Sequence, residues 1–149
     1  MKHTELNILA FLEGSGVLLI QLLAAQMLAP QFGAGLISWG AVLGTSSAGL
    51  ALGYLYGAKL SPKMKKSTIF WMGLFGSSAI ILMPTTAKIL MYTLQNTDPI
   101  SGSIAVCIFL ILPPVILLSS LPILIINYKT NNANQSGKNT GNTYSTSTI

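Results

Sequence analysis

GLALGYLYGAKLSPKMKK, residues Gly49 to Lys66, is the stretch whose reading decides the fold. Glycine recurs at 49, 53 and 57 inside an apolar run, and Lys59, Lys63, Lys65 and Lys66 follow at once. In water each helical glycine costs about 1 kcal/mol against alanine. In lipid the balance differs: apolar helices gain nothing by hiding from hydrocarbon, so they associate by close packing, which small residues permit. Positions four apart share a helix face. Gly49, Gly53 and Gly57 therefore form one smooth stripe, extended by Thr45 and Ala41, and Gly40, Gly44 and Ala48 form a second row beside it. This pattern predicts a membrane helix gripped by neighbours along most of its length. A sliding or hinging helix is the alternative reading.

The whole chain agrees with a membrane setting. Of 149 residues 51% are hydrophobic and 7% charged, whereas a soluble domain carries about 25% charged residues. Four segments approach the roughly 20 apolar residues that cross a bilayer. They run over about 6–29, 36–60, 68–91 and 103–126, which makes residues 1–128 an all-α, four-helix transmembrane domain. The first segment is long for a signal peptide and has Glu5 where a basic region would stand, so it is expected to remain uncleaved.

All eight basic residues are lysine. Lys2, the cluster from Lys59 to Lys66, and the pair Lys129 and Lys138 alternate with nearly lysine-free loops, Lys88 alone lying near the other side. Basic residues mark the cytoplasmic side. Both termini are thus expected inside, in the inner (cytoplasmic) membrane of a bacterium. The lysines flank apolar runs, which makes them topology signals rather than a nucleic-acid surface. Residues 129–149, rich in Asn, Ser, Thr and Gly, have the composition of a flexible cytoplasmic tail.

Polar and helix-bending residues within the spans are the candidates for function. Glu13 lies roughly 10 Å inside the predicted helix start, at 1.5 Å per residue. An acid at that depth is costly and points to a function. It either serves a site, neutral or paired with Lys59, or reaches the surface and does nothing special. Gln21 and Gln26 suit interhelical hydrogen bonds. Pro84, Pro113, Pro114 and Pro122 are expected to kink their helices, with Ser119 and Ser120 placed to satisfy freed carbonyls. Trp39, Trp71 and Tyr92 read as interfacial anchors. Cys107 is a lone cysteine in an apolar helix and reads as a small core residue. The sequence holds no catalytic, cofactor-binding or metal-ligating motif, and "EGSG" at 13–16 sits within a membrane helix, not in a phosphate-binding turn.

Residues 11–60, with Ala29-Pro30, Phe32-Gly33, Trp39, "GLALG" at 49–53 and then Gly57, resemble the opening of the multi-pass membrane domain of spermidine synthase-like proteins, the polyamine aminopropyltransferases. "LPPVILLSSLPILI" at 112–125 resembles that domain's fourth helix, and "SGKNTGNTYSTSTI" at 136–149 the segment leading into the fifth. Where the family commonly has Glu and Arg in its first helix, this chain has Gln21 and Gln26, two neutral amides. Family members continue with further helices and a soluble catalytic domain, which this sequence does not contain, so their activity is not implied for the chain alone.

The resulting expectation is a non-catalytic membrane subunit that packs against another membrane chain or a copy of itself. Two other readings stand beside it. One is half of a small-molecule transporter for a polyamine or another cation, with Glu13 at its site. The other is a membrane component of an aminopropyltransferase that works with a separate soluble or membrane-bound synthase.

Overall fold

The computed structural model describes residues 3–60, 66–129 and 133–148. Lys2, Lys63 and Lys65, part of the orientation signal, lie outside them. Every element among the described residues is helical: α1 His3–Phe32, α2 Leu36–Leu60, α3 Lys66–Thr93, α4 Pro99–Leu110, α5 Leu112–Lys129 and α6 Ala133–Thr148. Three helices are long and apolar enough to cross a membrane, and a fourth crossing results if α4 and α5 form one span bent by 46°.

The helix ends follow local chemistry. The first span does not stop at Pro30 but continues to Phe32. A proline in the last turn takes away only one backbone donor, and its fixed φ suits a helix. The end comes at Gly33, whose φ of +83° is left-handed, and whose N–H donates to the Ala29 carbonyl at 3.0 Å. This is a glycine cap, satisfying a carbonyl the helix leaves open. At the start of α4, Pro99 occupies the first turn after Asp98, where a missing N–H costs nothing.

The fourth predicted segment, 103–126, is not one helix. It breaks between Leu110 and Leu112, just before Pro113-Pro114. Two consecutive prolines deprive the Phe109 and Leu110 carbonyls of their helical donors, whereas in the first turn of α5 the same two prolines remove only donors that have no intrahelical partner anyway. A single proline does less: α3 runs unbroken past Pro84 and α5 past Pro122. Ser119 and Ser120 do not serve the freed carbonyls. Ser119 Oγ donates to Val115 O at 2.7 Å, with a longer contact to Gly49 O on α2 at 3.4 Å, and Ser120 Oγ donates to Leu117 O at 2.7 Å.

α5 is the hub, touching each of the other five helices. Its Val115, Leu118, Leu121, Leu124 and Ile125 are buried. Leu118 fits where glycines make room: a Cβ on Gly76 of α3 would stand 2.8 Å from Leu118 Cδ2, and one on Gly16 of α1 3.4 Å from Leu118 Cδ1. α2 and α3 do not touch among the described residues; α5 separates them. The most exposed span is α3, with 17% of its apolar window buried against 39% for α1 and α2. Its Phe70, Trp71, Phe75 and Tyr92 face outward, as does Trp39 of α2, the placement of lipid-facing and interfacial aromatics.

The tail departs most from its composition. Residues 133–148 form α6, which lies against α1 and α5. Asn, Ser, Thr and Gly are weak helix formers, so the helix is held by packing. Thr143 is fully buried, and the Tyr144 ring meets Tyr54 of α2 edge-on, with centroids 6.2 Å apart and planes at 85°.

Candidate functional site

The glycine stripe has a definite partner, and it is internal. An added Cβ on Gly49 would meet Val115 Cγ1 at 2.9 Å. On Gly57 it would meet the Ser120 carbonyl oxygen at 2.8 Å. On Gly53 it would coincide with the Ser119 hydroxyl and lie 2.7 Å from the Ile116 carbonyl oxygen. The nearest β-carbons on α5 are those of Val115, Ser119 and Ile123, advancing by four along each helix. α2 and α5 are therefore parallel and in register, the direction α5 takes if α4 and α5 together form a fourth span. The other row behaves differently. Nothing lies within 4 Å of a Cβ placed on Gly40 or Gly44, and both are exposed. They border a groove of about 420 Å³ with Ile100 and Ile104 of α4.

The docking of α2 on α5 also fixes Tyr54, the residue after Gly53. It comes within electrostatic reach of Glu13 on α1, as does Tyr144 on α6. Glu13 is 5% exposed. Burial, and after it the Glu13 carboxylate, push the Tyr144 phenol above its ordinary value. Glu13 thus does not reach the surface, and Tyr54 and Tyr144 are its electrostatic neighbours. Lys59, its expected partner, is exposed and makes no ion pair among the described residues. Thr143 Oγ1, also on α6, is buried without a hydrogen-bond partner.

On another side Glu13 lines a groove of about 190 Å³ between α1, α3 and α5, with Leu12, Phe70, Leu74, Ser77 and Leu118 among its walls. A larger groove of about 770 Å³ lies between the far ends of α1 and α3, with Lys88, Gln31 and Tyr92 on its walls. Near it, Gln31 Nε2 donates to the Met91 carbonyl at 3.0 Å, tying α1 to α3. That bond was expected from Gln21 or Gln26. Gln21 is instead half-buried and Gln26 exposed, and among the described residues neither bonds another helix.

Sequence reading singled out Glu13 and the stripe but not Tyr54, Tyr144 or Gln31. The available signal for Tyr54 was a hydroxyl-bearing side chain placed well inside a span. Tyr144 carried none, because its segment read as tail. Chemically the candidate site is a single buried carboxyl within electrostatic reach of two phenols. Among the described residues no three potential metal ligands gather, and Cys107 is fully buried in the core. Comparison with protein-family models, curated proteins and solved structures finds no match to this chain.

Proposed function

We propose that this protein is a non-catalytic integral membrane module that joins another membrane polypeptide through the Gly40–Gly44 side of α2, with both termini in the cytoplasm. The observation that carries this is the contrast within α2. The row at 49, 53 and 57 is filled by α5, while Gly40 and Gly44 stand open beside a groove. Close approach in lipid is favoured by small residues, so the open row is the surface suited to a helix from elsewhere. The lysine asymmetry supports the orientation and a bacterial inner membrane. The resemblance to spermidine synthase-like membrane domains supports, as the partner, the remainder of such an architecture.

Native mass spectrometry of the protein extracted in mild detergent tests the reading. A second, different polypeptide should accompany the chain and be lost in Gly44→Leu, while the chain itself stays folded. A Gly44→Leu protein that keeps its partner would contradict it.

A second reading has its own observation. Glu13 is buried among helices and next to a groove, the placement of a coupling or substrate carboxyl in a transporter. Glu13→Gln should then abolish cation uptake into vesicles. Unchanged uptake removes this reading.

A further inference from the structure

We infer that the groove between α1, α3 and α5 is a binding site for a monovalent organic ammonium with an apolar body, its nitrogen on Glu13. The inference depends neither on the assembly reading nor on transport. It starts from which polar atoms reach the groove. Its lining is leucine, phenylalanine and glycine apart from two polar residues, Glu13 and Ser77. Ser77 already donates its hydroxyl proton to the Gly73 carbonyl at 2.8 Å, so what it offers the groove is a lone pair. Paired with a cation, the Glu13 carboxylate likewise only accepts. Both polar side chains in the lining then present acceptors, and the ligand that fits this ionised state is a donor carrying positive charge.

The rest of the lining fixes the ligand's other features. One carboxylate neutralises one charge. A polyvalent amine would leave its further ammonium groups against leucine and phenylalanine, where an unpaired charge is strongly unfavourable. The class is thus a monoamine, not a polyamine. The body is apolar because the walls are, and Phe70 adds an aromatic face of the kind that attracts cations. The ligand is small, because the space is about 190 Å³. It enters from the lipid side: Leu12, Phe70 and Leu74 are exposed at the groove while Glu13, within it, is buried.

The test uses the full-length protein in mild detergent. A hydrophobic carbodiimide modifies the Glu13 carboxyl, and the rate is followed by mass spectrometry of the peptide that contains it. Hexylammonium should slow this modification at least tenfold. Hexanol, with the same chain and no charge, and spermidine, with charge but no apolar body, should leave it within twofold. Hexylammonium should also raise the melting temperature of the native protein and not of Glu13→Gln. Gly73→Leu gives a second variant that keeps the acid. A Cβ at Gly73 meets only Leu121 Cδ1 at 3.9 Å and Leu9 Cδ2 at 4.0 Å, so the backbone accepts a side chain that then fills the groove. Protection by hexylammonium should be lost in it. Equal protection by hexanol would show a groove that reads chain length alone. Equal protection by spermidine would show the wrong amine class. No protection by hexylammonium, or its persistence in Gly73→Leu, would remove the site.

Discussion

The two glycine rows of α2 share one sequence signature and have opposite fates. Gly49, Gly53 and Gly57 meet α5 so closely that a Cβ would strike it, and Gly40 and Gly44, a turn or two away on the same helix, meet nothing. Small-residue spacing therefore reports that a helix face permits close approach. It does not report who approaches. In this protein the neighbour of the first row is α5, which runs parallel to α2 and places Val115, Ser119 and Ile123 at matching intervals.

Substitutions at the two rows should separate them sharply. The largest effect belongs to Gly53→Leu, because its side chain has to displace the backbone of Ile116 as well as Ser119. Overpacking costs about 1–3 kcal/mol and occasionally more, and with backbone in the way the loss should exceed about 3 kcal/mol in reversible unfolding from detergent micelles. A folded, stable Gly53→Leu protein would break the comparison at once. Next comes Gly57→Ala, whose one methyl meets the Ser120 carbonyl oxygen; a loss of about 1–3 kcal/mol is expected. Gly49→Ala should lose less, since its obstacle is the Val115 side chain.

Ser119→Ala sharpens the contrast further. It removes the hydroxyl that reaches Gly49 O, and interhelical hydrogen bonds in membranes average about 0.6 kcal/mol. It also clears part of the space a Cβ on Gly53 needs. Gly53→Ala should therefore be less damaging in the Ser119→Ala background than alone, which a double-mutant cycle measures. At the bottom of the scale, Gly44→Leu should change folding stability by no more than about 0.5 kcal/mol.

Much of the architecture was legible because it follows from composition and length. The long apolar helices, 36–60 among them, were readable from apolar runs, and Glu13 from the position of an acid within one of them; three are long enough to cross a membrane, or four if α4 and α5 form one bent span. The break at Leu110–Leu112 was half legible: Pro113-Pro114 announced a disturbance, but only the structure distinguishes a helix start there from a bend within one helix. Helix neighbours were not legible at all. Membrane helices are apolar all round, so hydrophobic periodicity does not mark an inner face as it does in soluble bundles. That is why the sequence left open whether the neighbour of Gly53 belongs to this chain or to another, and the structure places it against Ser119 of its own. α6 was hidden for a related reason. Its polar composition argues for a loose tail, and its helix rests on contacts such as Tyr144 with Tyr54 that no local pattern announces. The same contact escapes any sequence reading of the Glu13 site, since Glu13, Tyr54 and Tyr144 come from three helices.

The most direct test of the difference between the rows is cysteine cross-linking in native membranes, with Cys107→Ala as background. A β-carbon at Gly49 would stand 3.2 Å from that of Val115, close to the 3.5–4.5 Å a disulfide spans. Replacing Val115 by cysteine also removes the methyl that obstructs it. Mild oxidation of the Gly49→Cys, Val115→Cys protein should join the two cysteines within one chain, with loss of only the two thiol hydrogens and no larger species. Gly44→Cys should have no such internal partner and, labelled with a thiol-reactive photocrosslinker, should give a larger, cross-linked species on illumination. A cross-link from position 49 to another polypeptide, with none to position 115, would contradict the account.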